Sequence, residues 1–178
     1  MSNCREPAAS APQAMLSCPF SRTRGKAVEL QTVKALLTEH ALRRVSASEH
    51  RFCPEADCEV VYFDAAGTVY TKEDLRVPVW QKEPFGDRMI CYCFGENETS
   101  IRIEMEQLGR SDAVERVRRH IEAGRCACEV RNPRGACCLG DVTAAVKRVA
   151  LAMQTAKSEV GVRGFLHDDR ATANVSDR

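Results

Sequence analysis

The sequence lacks the features that mark several large classes of protein. No apolar run approaches the length of a membrane span, and the first twenty residues contain no apolar h-region, which predicts a cytoplasmic chain. A net charge of +1 gives no support to binding of nucleic acid or a membrane surface. We find no Ser-His-Asp set, carboxylate pair, phosphate loop or glycine-rich nucleotide fingerprint, so the sequence predicts a protein that is not an enzyme.

Cysteine, in contrast, is abundant, with ten residues in 178. In a reducing cytosol such a content indicates metal or redox chemistry before it indicates a framework of disulfides. The densest group falls in the second half of the chain and comprises Cys91, Cys93, Cys126, Cys128, Cys137 and Cys138.

The pattern along the chain predicts an α+β protein made of two modules between polar tails. Residues 1–16 and 161–178 are polar and without periodicity, so we expect disordered tails there. The composition changes near Pro84-Phe85-Gly86, which predicts a hinge between an α+β module at residues 17–84 and a helical module at residues 85–160.

Local patterns in the first module predict one helix and a hairpin. Apolar residues at helical spacing, with Thr32 as a cap, predict a helix over residues 32–42. Two runs of β-branched and aromatic residues, 59–63 and 68–71, are joined by Asp64-Ala65-Ala66-Gly67, which is typical of a hairpin. Residues 77–80 predict an edge strand because proline is tolerated there.

Three helices are predicted in the second module. The first ends at Gly109, and the second begins at Asp112, which with Glu115 resembles a capping box, and ends at Gly124. The third covers residues 141–156 and buries Val142, Val146, Val149 and Met153.

The spacing of the cysteines in this module suits a [2Fe-2S] cluster, in which each of two irons takes two thiolates. Cys91 and Cys93 lie one residue apart and are the predicted ligands of the first iron. The second iron requires two ligands from Cys126, Cys128, Cys137 and Cys138.

Side-chain direction narrows the choice for the second iron. Vicinal residues point their side chains apart, so Cys137 and Cys138 should not both reach one iron. Cys138 is preferred because it lies closest to the start of the third helix, where free N–H groups stabilise a thiolate. A turn at residues 132–135 then folds Cys128 back towards Cys138, and its N–H groups are available to the cluster sulfurs. Cys126 is the weaker candidate, either a core thiol or a reserve ligand.

Other interpretations of these residues remain open at this level. The thiols could be buried core residues, or they could hold zinc, which accepts the same tetrahedral thiolates. The spare Cys137 could bind Cu(I) or take part in redox exchange. A basic stretch is either a solvated face or a docking patch for an acidic redox or metal-handling protein; it contains Arg116, Arg118, Arg119, His120 and Arg125.

Three motifs in order resemble the N-terminal domain of the CopZ-type copper chaperones. They are Cys53-Pro54 to Cys58-Glu59-Val60-Val61-Tyr62-Phe63, then Cys91-Tyr92-Cys93-Phe94, then Cys128 through Asn132-Pro133 to Cys137-Cys138-Leu139-Gly140. The resemblance implies a small zinc-ribbon-like β subdomain followed by a helical [2Fe-2S] module similar to bacterioferritin-associated ferredoxin. It implies cluster ligands at Cys91, Cys93, Cys128 and Cys138, and a zinc site at Cys18, Cys53, Cys58 and the residue at position 21.

Two departures from the family pattern matter. The opening Cys-Pro-x-Cys reads Cys18-Pro19-Phe20-Ser21 here, and a serine hydroxyl is a poor substitute for a thiolate. The fourth zinc ligand is therefore Cys4, His50 or a water molecule, unless the site is degenerate and held by the core alone. Complete chaperones of this type also carry a separate copper-carrying domain with a Met-x-Cys-x-x-Cys loop, whereas this chain contains no Cys-x-x-Cys. We therefore do not expect this chain to deliver copper alone, although a partner could supply that domain.

Together these patterns predict a [2Fe-2S] protein that serves electron transfer or copper handling with a redox or metal-handling partner. The alternative is a zinc-only module that binds a protein partner and has no redox role.

Overall fold

The computed structural model describes residues 16–165 as a mixture of antiparallel sheet and helix, which confirms the α+β class. Sheet dominates the first half and helix the second. Of the predicted tails at residues 1–16 and 161–178, residues 1–15 and 166–178 lie outside the described residues. Among the described helices, none is both long and apolar enough to cross a membrane.

The first half is built on a four-stranded antiparallel sheet with strand order β1-β2-β3-β4. Its elements in chain order are β1 (Lys26–Val28), α1 (Leu30–Leu36), α2 (Glu39–Leu42), β2 (His50–Phe52), β3 (Val60–Asp64) and β4 (Val69–Thr71). The strands are short, and the central strand β3 is buried along its whole length. The main core of this half lies between the sheet and α1, and it includes Val33, Leu37, Phe52, Tyr62, Tyr70 and Val79.

The predicted hairpin is confirmed in β3 and β4. Asp64 ends β3, and its Oδ1 accepts hydrogen bonds from the backbone N–H groups of Ala66 and Thr68 at 3.0 and 2.7 Å. Gly67 has a φ of 89°, a conformation that glycine adopts without steric cost. Asp64 and Gly67 therefore form the turn between the two strands, as the sequence indicated.

The predicted single helix over residues 32–42 is wrong, because the chain forms two short helices with a break between them. Leu37 leaves α1 in an extended conformation and pairs with Leu75 in an isolated bridge. Thr38 then caps α2 by accepting a hydrogen bond from the Ala41 N–H. Thr32, the predicted cap, is instead buried within α1.

The predicted edge strand at residues 77–80 is also wrong. This segment leads into a short 3₁₀ turn, Trp80–Lys82, instead of pairing with the sheet. The Pro78 carbonyl accepts a hydrogen bond from the Tyr92 hydroxyl at 2.7 Å, and the same hydroxyl accepts one from the Trp80 N–H. Tertiary contacts of this kind replace the hydrogen bonds that a neighbouring strand would supply.

The second half is mainly helical, with one two-stranded antiparallel pair. Its elements are β5 (Met89–Cys91), β6 (Glu96–Asn97), α3 (Glu98–Leu108), α4 (Ala113–Glu122), α5 (Cys128–Arg131) and α6 (Leu139–Phe165). Helices α3 and α4 both pack against α6. The core between them includes Ile90, Ile101, Val117, Val142, Ala145 and Val149, with Val146 and Met153 partly buried, as the third predicted helix required.

The ends of these helices agree only in part with the sequence patterns. Gly109 ends α3 in the left-handed conformation, as predicted. The capping box at Asp112 is wrong: the Asp112 side chain makes no capping bond, and Glu104 accepts hydrogen bonds from the Asp112 N–H and the Ser111 hydroxyl instead. Helix α6 continues to Phe165, past its predicted end at residue 156, because residues there such as Ala156 and Lys157 are good helix formers. The prediction of a disordered tail is therefore wrong for residues 161–165, which are helical.

The two halves contact each other through α1 and α5. The Tyr62 hydroxyl on β3 donates a buried hydrogen bond to the Pro133 carbonyl at 2.7 Å. The turn after Pro133 packs closely, since a Cβ atom at Gly135 would lie 2.8 Å from the Thr32 Oγ1. This junction fixes the segment between Cys128 and Cys138 against the sheet.

The Tyr62→Phe variant removes the hydroxyl that joins the halves and leaves the buried Pro133 carbonyl without its donor. We expect the free energy of unfolding, measured by urea denaturation, to fall by about 1–3 kcal/mol. Tyr70→Phe is the matched control, because the Tyr70 hydroxyl donates to the carbonyl of the exposed residue Arg44 within the first half. This variant should lower the free energy of unfolding by a smaller amount. An unchanged stability of the Tyr62 variant would contradict this role.

Candidate metal centres

One group of thiols lies at the end of the sheet in the first half. The Sγ atoms of Cys18, Cys53 and Cys58 all lie within 4.8 Å of one another, and those of Cys18 and Cys58 are 3.9 Å apart. Cys53 directly follows β2 and Cys58 precedes β3, while Cys18 comes from the loop before β1. All three are buried, so the sequence-predicted zinc ligands form a cluster of soft donors that could hold a metal ion.

Ser21 lies at this cluster, as the resemblance implied for the residue at position 21. Its Oγ is 3.4 Å from the Cys53 Sγ and also accepts the Thr23 N–H at 3.3 Å. Burial raises the pKa of the Cys18 thiol, but the backbone N–H and hydroxyl of Ser21 donate hydrogen bonds to it, so its pKa lies below the ordinary value. Burial dominates at Cys53, whose pKa is raised.

Of the other candidates for a fourth ligand, His50 does not lie at this cluster. His50 is buried in β2, where its Nδ1 bonds to the Ser48 carbonyl at 2.7 Å and its Nε2 faces Asp64 at 3.8 Å. That placement corrects the suggestion that His50 reaches the zinc ligands. Cys4 lies outside the described residues.

Lys82 is a functional candidate that the sequence patterns missed. It is only 7% exposed, and its Nζ donates hydrogen bonds to the Glu55 carbonyl at 2.6 Å and the Cys58 carbonyl at 2.9 Å. Desolvation lowers the pKa of Lys82, while the neighbouring cysteine sulfurs raise it in part. No local pattern indicates that Lys82 lies near the thiols, because its hydrogen bonds join residues that are 24 and 27 positions apart in the chain.

The second group of thiols is brought together by β5, α5 and the start of α6. Cys91 ends β5, Cys93 lies in the following turn, Cys128 opens α5, and Cys138 directly precedes α6. Gly95 closes the turn around Cys93 with a φ of 74°, and its N–H donates to the Cys91 carbonyl. The four sequence-predicted cluster ligands therefore converge from two distant segments.

The shortest contacts in this group run between the segments. The Cys93 and Cys128 sulfurs are 3.8 Å apart, and the thiols of Cys91 and Cys138 share a hydrogen bond. That bond lowers the pKa of Cys91 to about 7 and raises the pKa of Cys138. Burial, together with negative charge at Cys93, raises the pKa of Cys128 to about 12.

The backbone donors around these sulfurs differ from those expected. The N–H of Ala127 donates to the Cys93 sulfur at 3.5 Å, and the N–H of Phe94 to the Cys91 sulfur. In the predicted donor loop, the Gly135 N–H bonds to the Asn132 carbonyl and the Arg134 N–H to the Asn132 side chain. The loop forms the expected turn, but these two N–H groups serve the turn itself.

The two remaining thiols of this region have different exposures. Cys126 is half-buried, and burial is the main reason that its pKa is raised. Cys137 is exposed to solvent, in contrast to its neighbour Cys138, which is only 2% exposed. The structure thus separates the vicinal pair as the side-chain argument required.

The basic stretch of α4 lies beside the second group of thiols. His120 stacks on Phe94, with ring centroids 4.1 Å apart, and Phe94 directly follows Cys93. Arg125 donates to His120, whereas Arg116 forms ion pairs with Glu96 and Glu104. Part of the predicted positive charge is therefore neutralised within the protein.

Comparison with known proteins agrees with the family resemblance that the cysteine motifs indicated. A family model described as a zinc binding domain, zf_CopZ, matches residues 15–76. The copper chaperone CopZ of Archaeoglobus fulgidus is 34% identical over 125 residues, which cover 70% of this chain and 58% of that protein. This chain therefore spans little more than half the length of that relative.

A solved structure extends the similarity to the fold. The X-ray structure of the Archaeoglobus fulgidus CopZ N-terminal domain matches with a TM-score of 0.57 and 34% identity. The match covers 68% of this chain and 91% of that domain, so it extends beyond either half alone. On the shared sequence and fold, the chain belongs to the family of CopZ N-terminal domains.

Proposed function

We propose that this protein is a non-enzymatic, cytoplasmic [2Fe-2S] protein with a separate zinc site, acting in electron transfer or copper handling. The observation that carries the proposal is the convergence of Cys91, Cys93, Cys128 and Cys138. A [2Fe-2S] cluster requires four thiolates from segments that can surround two irons, and it supplies one-electron transfer when bound.

The contacts among these four cysteines suggest how their thiolates would be divided between the two irons. Sulfurs that bind one tetrahedral metal lie roughly 3.8 Å apart. The Cys93 and Cys128 sulfurs have this separation, and Cys91 is hydrogen-bonded to Cys138. We therefore assign Cys93 with Cys128 to one iron and Cys91 with Cys138 to the other, in place of the pairing within each segment that the spacing suggested.

The surroundings of the thiols suit a redox centre. N–H groups of Phe94 and Ala127 donate to ligand sulfurs, and such bonds stabilise negative charge and raise the reduction potential of an iron–sulfur cluster. The start of α6 directly after Cys138 adds the positive end of a helix dipole. These features are available whether or not a partner is present.

We assign the zinc-ribbon-like role to the first half, with Cys18, Cys53 and Cys58 as ligands. The ion would close the loops between short strands, so binding would contribute to the folding free energy of this half. The family model described as a zinc binding domain supports this role, since it covers all three residues.

A role in copper handling follows from the named relative, a copper chaperone. Because this chain lacks Cys-x-x-Cys, we propose that a metal-handling protein partner receives or supplies the copper. The exposed Cys137 thiol is a soft donor suited to Cu(I), and the patch of Arg119, His120 and Arg125 beside Phe94 would favour an acidic partner.

Zinc in both groups of thiols is the second candidate, which would make the protein an interaction module without redox activity. The family model described as a zinc binding domain supports zinc in the first group, which it covers, and the preference of zinc for tetrahedral thiolates favours it in the second. The metal content separates the two candidates.

We expect protein purified under anaerobic conditions to be red-brown, because thiolate-to-iron charge transfer absorbs visible light. Iron and acid-labile sulfide should each be present at about two atoms per chain. Zinc should be present in addition, at about one atom per chain. A colourless protein that contains zinc and no sulfide would contradict the first proposal and support the second.

Single substitutions should remove the two metals independently. Cys138→Ser should lose iron, sulfide and visible absorption while retaining zinc, and Cys18→Ser should lose zinc while retaining the visible spectrum. Cys137→Ser is the matched control because it changes the neighbouring, exposed thiol, and it should keep both metals while losing copper uptake or thiol reactivity. Loss of the visible spectrum in the Cys137 variant but not the Cys138 variant would overturn the ligand assignment.

A further inference from the structure

We propose that the hydroxyl of Ser21 is the fourth ligand of the metal held by Cys18, Cys53 and Cys58. The site would then have three thiolates and one neutral oxygen, where the family pattern has a fourth thiolate. This inference rests on the proposed zinc site, and it names the ligand that completes that site.

The distances fit a tetrahedral ion. With metal–sulfur bonds of about 2.3 Å and metal–oxygen bonds of about 2.1 Å, two sulfurs lie roughly 3.8 Å apart and a sulfur and an oxygen roughly 3.6 Å apart. The Cys18 and Cys58 sulfurs are 3.9 Å apart, and the Ser21 Oγ lies 3.4 Å from the Cys53 sulfur.

The loop before β1 holds Ser21 in this position. The Cys18 N–H bonds to the Thr23 carbonyl and the Arg22 N–H to the Cys18 carbonyl, both at 2.9 Å. Arg22 has a φ of 63°, which a non-glycine residue adopts rarely. The Thr23 N–H occupies one lone pair of the Ser21 Oγ, and the other lone pair remains for a metal.

The charge around the site favours a divalent ion with a neutral fourth ligand. Three thiolates and a divalent ion leave one negative charge, and burying an unpaired charge is costly. The ammonium of Lys82 lies against the Cys58 carbonyl, is buried, and supplies one positive charge beside the sulfurs. A fourth thiolate would leave the centre negative, whereas the Ser21 hydroxyl leaves it neutral.

Such a site should release its metal more readily than a site of four thiolates. A hydroxyl that keeps its proton is a weaker donor than a thiolate, so a stronger donor can displace it from the fourth position. Structural zinc sites are normally closed by four strong ligands. The serine therefore makes this centre more exchangeable than the family pattern implies.

The test compares wild-type protein with the Ser21→Ala and Ser21→Cys variants, loaded with Co²⁺ as a visible probe and with Zn²⁺ for affinity. We expect Ser21→Ala to keep the intensity of the thiolate-to-cobalt band, to shift the d–d bands and to bind zinc at least about tenfold more weakly in chelator competition. Ser21→Cys should raise the band intensity by about a third, for four thiolates instead of three, and bind zinc more tightly.

Thr23→Ala is the matched control, since the Thr23 hydroxyl lies in the same loop and donates to Glu55 instead of facing the sulfurs. It should leave the cobalt spectrum and the zinc affinity unchanged. Identical spectra and affinities for wild type and Ser21→Ala would overturn the role of Ser21 while leaving the three-thiolate site intact. A wild-type protein that binds neither Co²⁺ nor Zn²⁺ at this site would overturn the proposed zinc function as well.

Discussion

Both halves of the molecule depend on holding cysteine sulfurs close together at the ends of short loops. The sulfurs of Cys18 and Cys58 are 3.9 Å apart in the first half, and those of Cys93 and Cys128 are 3.8 Å apart in the second. Strands of three residues, such as β2 and β4, provide few backbone hydrogen bonds to fix those loops. Buried thiolates also repel one another unless a cation lies between them. Metal–thiolate bonds would satisfy both requirements, because they would close the loops and neutralise the charge.

The two groups of thiols are mechanically connected through β3. This strand follows Cys58 at one end of the first site, and its Tyr62 hydroxyl holds the Pro133 carbonyl in the turn between Cys128 and Cys138. The close contact of Gly135 with Thr32 fixes the same turn against α1. The first half therefore supports the turn between Cys128 and Cys138.

Local sequence patterns predicted the structure correctly where it depends on residues that are close together in the chain. The hairpin at Asp64–Gly67, the end of α3 at Gly109 and the separation of Cys137 from Cys138 all follow from short-range geometry. The family resemblance named the seven cysteines that the structure gathers into two groups. The features that the sequence did not predict depend on long-range contacts. Leu37 pairs with Leu75, which breaks the predicted helix. Lys82 bonds to the carbonyl of Cys58, which lies 24 residues earlier in the chain. From the sequence, Ser21 was judged a poor zinc ligand because a hydroxyl is a weaker donor than a thiolate. No local pattern reveals that its Oγ lies close to the Cys53 sulfur.

The most direct test of this account is a crystal structure of anaerobically purified protein with anomalous diffraction data collected at the iron and zinc absorption edges. We predict two iron atoms among Cys91, Cys93, Cys128 and Cys138, and one zinc atom among Cys18, Cys53 and Cys58 with the Ser21 oxygen in its coordination shell. Zinc peaks at both groups of thiols, with no iron at either, would contradict the account.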